Sequence, residues 1–415
     1  MKEGQPLRPE KPSEAPIPKE PRPASWKSAI LNWSGALAAA ALIAVPLWML
    51  LSNPAVLGGH PALPILLVAA VALGIVWALF LVRHWNLTTD PDRRTRHQRR
   101  GSIAPGEPHG GARTHNNAAA RRRLSRDRVQ SSGDVSTWQL VRGIAGRLTA
   151  LGFVAALAWL NPFPYQPGST AQTAGTVAPS APSDPSGPTD PTTSGATTPP
   201  AGPATSHASG VAKTEDATSI TLTPQGVPEG KATTGLVFYP GAKVDAHAYQ
   251  DVLKPLAAAG HLVVILKEPL GISLLDPGQA RAAMDRHPGI GSWAVGGHSL
   301  GGVSASAFAA SNHDVAGLLL FASYPAGNMA DDGGLSVLSI SGSNDGLSTP
   351  EKIAASKPLL PPTTTYVTVV GGVHAFFGDY GEQPGDGVPG VSREEAQQQI
   401  VAESLRFMDQ LRAAS

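Results

Sequence analysis

The stretch SWAVGGHSLGGVSASAFAA, residues 292–310, decides how this chain is to be read. An apolar run from Ser292 to Gly296 leads into Gly297-His298-Ser299-Leu300-Gly301, and small residues dominate the positions after it. In a chain with 45 glycines, Gly-x-Ser-x-Gly alone signals little, because a glycine-rich turn with an incidental serine has the same composition. Its setting between a strand pattern and a small-residue helix pattern is what a nucleophile elbow requires: a sharp, strained turn that lifts a serine hydroxyl above a sheet. Gly297 and Gly301, two positions to either side, must then be small to avoid strand and helix, and Gly302, Ala305 and Ala307 continue the close packing. Ser299 is therefore read as a nucleophile.

Outward from this stretch, strand and helix patterns alternate, which predicts a mainly parallel sheet covered by helices. Strands are expected at Ile220–Thr223, Thr234–Tyr239, Leu262–Leu266, Ser292–Gly296, Val315–Ala322, Ser336–Ser341 and Thr365–Val370. Helices are expected at His247–Ala259, Pro277–Arg286, Leu300–Ala310, Pro350–Ala355 and Ser392–Ala413. The last opens on a capping box, Ser392 with Glu395, and its Ile400, Leu405, Met408 and Leu411 recur at helical spacing toward the sheet.

A serine hydroxyl needs a base to take its proton. His374 is the best placed of twelve histidines, in the loop Gly371-Gly372-Val373-His374 after the last strand. His298 is expected to pack beside the nucleophile, and His247, His261, His287 and His313 fall on helices or remote turns. The base in turn needs an acid to fix its tautomer. Asp345 directly follows a strand and precedes His374, with Asp331 and Asp332 as the fallback. Two backbone N–H groups must face a carbonyl oxygen as it becomes anionic; Leu300 supplies one by position, and Ala242, after Pro240-Gly241, the other. Gly241 is read as permitting that turn. Asp379 and Asp386, in the loop Gly378–Gly390, lack an EF-hand spacing, and the loop is read as a rim of the cleft.

Four stretches together, Phe238-Tyr239-Pro240-Gly241-Ala242-Lys243-Val244, Gly296-Gly297-His298-Ser299-Leu300-Gly301-Gly302, Gly342-Ser343-Asn344-Asp345-Gly346 and His374-Ala375-Phe376-Phe377-Gly378-Asp379-Tyr380-Gly381, resemble a bacterial branch of the α/β-hydrolase superfamily. The resemblance runs from Leu236 to about Met408. It implies an α/β-hydrolase fold, a Ser299, Asp345, His374 triad and an ester-like or acyl substrate, with no cofactor. Ser323–Gly334 is too short for the cap domain many relatives insert there, so an open cleft is expected, as in the capless cutinase-like and dienelactone-hydrolase-like members.

The amino-terminal half reads differently. Residues 1–29 are too polar to repay ordering and are expected to form a disordered cytoplasmic tail. Residues 30–160 read as a membrane anchor of about three transmembrane helices, near Ile30–Leu51, Leu63–Val82 and Leu140–Leu160, each close to the roughly 20 residues that span hydrocarbon. Arg142 and Arg147 in the third can reach toward one interface. The loop 83–139 is arginine-rich, whereas Ser52–Pro61 has no Lys or Arg. The positive-inside rule therefore puts the tail and basic loop in the cytoplasm, and the later domain outside a multi-pass cell-membrane anchor. Residues 161–210, rich in Pro, Ser, Thr and Gly, read as a linker able to hold the domain at 211–415 away from the bilayer.

Cysteine is absent, which removes thiolate zinc sites, disulfides and a cysteine nucleophile from consideration. With 32 basic against 31 acidic residues, and no aromatic residues interleaved with the arginines, nucleic acid is not an expected partner. Expected is a membrane-tethered serine hydrolase acting on esters through an acyl-enzyme. An acyltransferase with the same triad and a non-catalytic membrane adaptor of the same fold are the alternatives; oligomeric state is left open.

Overall fold

The structure is a computed structural model in which residues 26–89, 135–167, 210–226 and 234–414 are described. Most of the expected cytoplasmic tail, the arginines of the basic loop and the body of the Pro/Ser/Thr-rich linker lie outside the described residues.

Eight strands form one sheet: β1 (Val211–Glu215), β2 (Ser219–Pro224), β3 (Thr234–Tyr239), β4 (Leu262–Leu266), β5 (Ser292–His298), β6 (Val315–Phe321), β7 (Ser336–Gly342) and β8 (Thr365–Val369). Their order is β1-β2-β4-β3-β5-β6-β7-β8. The β1–β2 and β2–β4 pairs are antiparallel and the rest parallel. Successive residues of a strand face opposite sides of its sheet, and here both sides are covered. Leu236 and Phe238 of β3 join one apolar cluster with helices Gln250–Ala258 and Arg393–Ala414; Val237 and Tyr239 join another with helices Gln279–Asp285 and Leu300–Ser311. Burial on both faces explains why the central strands read as continuous apolar runs instead of alternating ones.

The predicted elements agree closely with the observed ones. The edge strand β1 is not among them, because Val-Ala-Lys-Thr-Glu carries too little apolar signal and most of it is exposed. The capping box forms, with Glu395 N–H donating to Ser392 Oγ at 3.2 Å and Glu395 Oε2 accepting from Ser392 N–H at 3.0 Å. Ala305 is buried as expected, but Ala307 is exposed: it points away from the sheet, so its small size serves no packing there. No helix or strand lies between Phe321 and Ser336, in accord with the missing cap.

Of the apolar helices, α1 (Trp26–Ser52), α3 (Ala62–Thr89) and α4 (Thr137–Trp159) are long and apolar enough to cross a membrane, and a short α2 (Pro54–Gly58) lies between the first two. Asn53 caps α2, accepting from the Ala55 N–H. The Arg147 guanidinium donates to the Leu31 and Gly143 carbonyls at 3.1 and 2.6 Å, backbone partners that a charged side chain in an apolar helix commonly takes.

The chain divides into two compact units, one of which joins Ile43–Leu73 to Val154–Ser415. Within it, the first residues of the expected linker run along the sheet-bearing domain. Phe163 bridges to Val244, donating to the Lys243 carbonyl at 2.6 Å and accepting from the Asp245 N–H at 3.0 Å. Gln166 N–H donates to the Asp379 carbonyl, and the Asn53 amide donates to Asn161 and Pro162.

Candidate active site

The parallel strands all deliver their carboxyl ends to one edge, and the site is built there. Ser299 has φ 53° and ψ −122°, a conformation costly for a residue with a Cβ, and its surroundings enforce it. Its N–H donates to the Phe321 carbonyl at 3.0 Å, and its own carbonyl accepts from Ser323 Oγ at 2.6 Å. Glycine is required on both sides. A Cβ on Gly297 would stand 2.4 Å from the Gly301 carbonyl carbon, and one on Gly301 would stand 2.1 Å from the Tyr239 oxygen. The sequence pattern points to these two glycines; Ser323, which ties the elbow down from just after β6, gives no sequence signal.

His374 and Asp345 meet in the interior. Asp345 Oδ2 lies 2.8 Å from His374 Nδ1, and both side chains are fully buried. The other oxygen, Oδ1, accepts from the Leu347 and Ser348 N–H groups at 2.8 and 2.7 Å. That acceptor pattern holds the carboxylate in one orientation. The fallback aspartates are elsewhere: Asp331 is exposed, and Asp332 lies 3.9 Å from His313. His374 Nε2 is buried with no hydrogen-bond partner, so the Ser299 hydroxyl does not bond to it in this structure. Unbound active sites often have such contacts long. The His298 ring, one residue before Ser299, has its centroid 4.5 Å from that of the His374 ring.

His298, next to Ser299 in the chain, is buried against the rings of Tyr249, His374, Phe377 and Tyr380. Burial, reinforced by His374, holds its pKa well below the ordinary histidine value. Its Nδ1 lies 2.8 Å from the Tyr249 hydroxyl, which also accepts the Gly241 N–H at 2.9 Å. Gly241 is needed for space and not for its dihedral freedom: a Cβ there would stand 2.7 Å from His298 Nδ1. The positive φ of this turn, 61°, belongs to Lys243. With the Gly241 N–H taken by Tyr249, the neighbouring Ala242 N–H and the Leu300 N–H have no acceptor among the described residues. Both residues are half-buried at the carboxyl edge.

Asp386 joins the two loops that carry His374 and Asp345. Its Oδ1 accepts from His374 N–H at 3.0 Å and Gly346 N–H at 3.2 Å, and its Oδ2 from Ala375 N–H at 2.8 Å. This loop is thus more than a rim of the cleft. The Arg393 guanidinium holds the same region by donating to the carbonyls of Ala375, Gly378 and Gly381. Sequence separation hides both roles, because each depends on loops brought together only by the sheet.

Glu268, after β4, is a fully buried carboxyl whose two oxygens have no hydrogen-bond partner. Burial pushes its pKa well above the ordinary value, with the nearby Ser273 N–H opposing outside hydrogen-bond geometry. The folded state thus keeps a proton that the unfolded chain loses near pH ~4.3, so stability falls as pH rises from there through the folded pKa. Glu268→Gln cannot ionise. In thermal unfolding of the detergent-solubilised chain, its Tm advantage over wild type should grow between pH 5 and pH 8, reaching roughly 3 °C or more. A pH-independent difference would contradict this.

Residues 235–399 match the alpha/beta hydrolase family. The carboxy-terminal domain is accordingly an α/β-hydrolase superfamily member, as its sheet order and flanking helices also indicate. None of the curated proteins compared with the chain matches it. Among solved structures, it is similar to a thermophilic esterase from the Planctomycetes species Thermogutta terrifontis in its butyrate-bound form. Identity there is 14% and the TM-score 0.35, over 46% of this chain and 89% of that one. It is also similar to a dienelactone hydrolase-like promiscuous phosphotriesterase from metagenomic libraries, with 20% identity and a TM-score of 0.36, over 46% and 92%.

Proposed function

We propose that the protein is a membrane-tethered serine hydrolase that cleaves carboxylic esters. The observation that carries this reading is the buried Asp345–His374 pair, with Nε2 left unpartnered, at the same sheet edge where Ser299 is held at φ 53°. Ser299 Oγ attacks the ester carbonyl carbon and its proton passes to His374 Nε2. The carbonyl oxygen, as it becomes anionic, is received by the Leu300 and Ala242 N–H groups. Collapse breaks the carbon–oxygen bond to the alcohol, which leaves with the proton from His374. Water then adds to the acyl-enzyme, gives a proton to His374, and releases the carboxylic acid as that proton returns to Ser299. Asp345 keeps the imidazole oriented and stabilises its cation throughout. The three apolar helices supply the tether.

Fluorophosphonate labelling of the full chain in detergent tests the assignment. Adduct formation mapped by mass spectrometry to Ser299 is the expected result. Labelling at another residue, or none in protein that is folded by circular dichroism, contradicts it.

A further inference from the structure

The carboxyl edge of the sheet, where Ser299 sits, is also where the apolar helices end. Lys243, one residue after Ala242, donates to the carbonyl of Trp159, the last residue of α4, at 2.8 Å, and its ammonium lies 4.4 Å from that indole. A cleft beside Lys243 is lined by Ala55, Val56 and His60 from the α1–α3 connection, by Pro162, and by Pro240. Trp159 is 60% exposed at its helix end, the position that tryptophan favours at a membrane interface.

The next loop of the same edge is joined to this contact, the Lys243 N–H donating to the Gly271 carbonyl at 2.7 Å. After β4 the chain makes a turn at Ser273–Leu275, and its Leu274 and Leu275 are 52% and 55% exposed. Asp276, immediately after them, lies close enough to His60 to oppose the lowering of that histidine's pKa by burial. Leu274 and Leu275 are the kind of apolar side chain that enters a headgroup boundary, and the helices whose ends lie nearby are long and apolar enough to cross a membrane. Ser273 in the same turn donates to the Leu300 carbonyl at 3.4 Å, so the leucines flank the nucleophile's own helix.

We propose that the carboxyl edge faces the bilayer, with Leu274 and Leu275 dipping into it, and that the substrate is an amphiphilic acyl ester resident in that leaflet. The inference rests on the serine-hydrolase reading for its chemistry. The placement rests on the contacts of Lys243, Trp159 and the leucine turn alone. An ester whose carbonyl lies near the headgroup level needs to rise only a short way to reach Ser299, and its acyl chain keeps an apolar environment over the leucines.

The test uses the full chain reconstituted in phosphatidylcholine vesicles. Two substrates are compared: a long-chain acyl ester carried in the same vesicles, and a short-chain, water-soluble ester with the same leaving group. Leu274→Asp combined with Leu275→Asp should lower kcat/KM on the vesicle-borne ester by about tenfold or more, since charged side chains resist entry at the interface. The soluble ester should be hydrolysed as before. Equal loss on both esters, or none on either, overturns the proposal. If wild type hydrolyses neither ester, or Ser299→Ala still hydrolyses both, the hydrolase reading itself fails.

Placement is then read without catalysis. Because the chain has no cysteine, Leu275→Cys can carry a single environment-sensitive fluorophore. Its emission should be quenched by spin-labelled lipid and shielded from iodide, whereas the same label on Ser311→Cys, exposed at the other end of the nucleophile's helix, should respond to iodide. Equal iodide quenching at both positions overturns the membrane-facing edge.

Discussion

Ser299→Ala should lower turnover of every accepted ester by roughly 10⁴-fold or more while leaving the fold intact. The size reflects what is lost. Without the hydroxyl there is no acyl-enzyme, and the oriented His374–Asp345 pair has only water to activate. Whatever rate survives comes from binding and from the Leu300 and Ala242 N–H groups, which are backbone and unaffected. The stability cost should be small or even negative, because alanine removes a hydroxyl that makes no hydrogen bond to His374 and keeps the same Cβ at φ 53°. Single-turnover and steady-state assays on the variant check this, alongside its thermal unfolding. Wild-type turnover in a folded variant would remove Ser299 from the chemistry.

Asp386→Ala should have the second largest effect, about a hundredfold on kcat with little change in KM for a soluble ester. Its carboxylate contacts neither Ser299 nor the imidazole ring of His374. It accepts N–H groups from His374, Ala375 and Gly346, and so ties the loop bearing His374 to the loop bearing Asp345. Hydrogen bonds to a charged acceptor contribute roughly 1.5–3 kcal/mol each when buried. Asp386 is half-buried, so the total loss of stability should be nearer one such bond than three. Asp386→Asn keeps one oxygen acceptor and should fall between. The discriminating readout is the split between kcat and KM together with unchanged fluorophosphonate access. A variant that loses stability but keeps wild-type kcat would make Asp386 structural only.

The sequence is most legible where local pattern and tertiary role coincide. Residues 292–310 carry apolar strand, glycine turn and small-residue helix in one continuous run, so the elbow can be placed before any fold is known. The order Ser299, Asp345, His374 is readable for a similar reason, since each residue follows an apolar strand and all parallel strands end at one edge. Illegible are the groups that act across that edge: Ser323 on the Ser299 carbonyl, Tyr249 on the Gly241 N–H, and Asp386 and Arg393 on the histidine loop. A hydrogen bond between residues tens of positions apart leaves no periodicity in a sequence.

The amino-terminal half divides along the same line. Hydropathy is additive along a helix, so composition alone finds the three long apolar helices. The same reasoning treats residues 161–210 as a spacer, because proline and serine set chain stiffness but not where a chain end attaches. Phe163 on Val244, Gln166 on Asp379 and Lys243 on Trp159 are decided by the folded surface. The sequence by itself determined the sheet, the elbow and the apolar helices, each a matter of local periodicity. The tertiary structure alone decided that the sheet's active edge and the helix ends lie together, because that contact joins segments with no shared pattern.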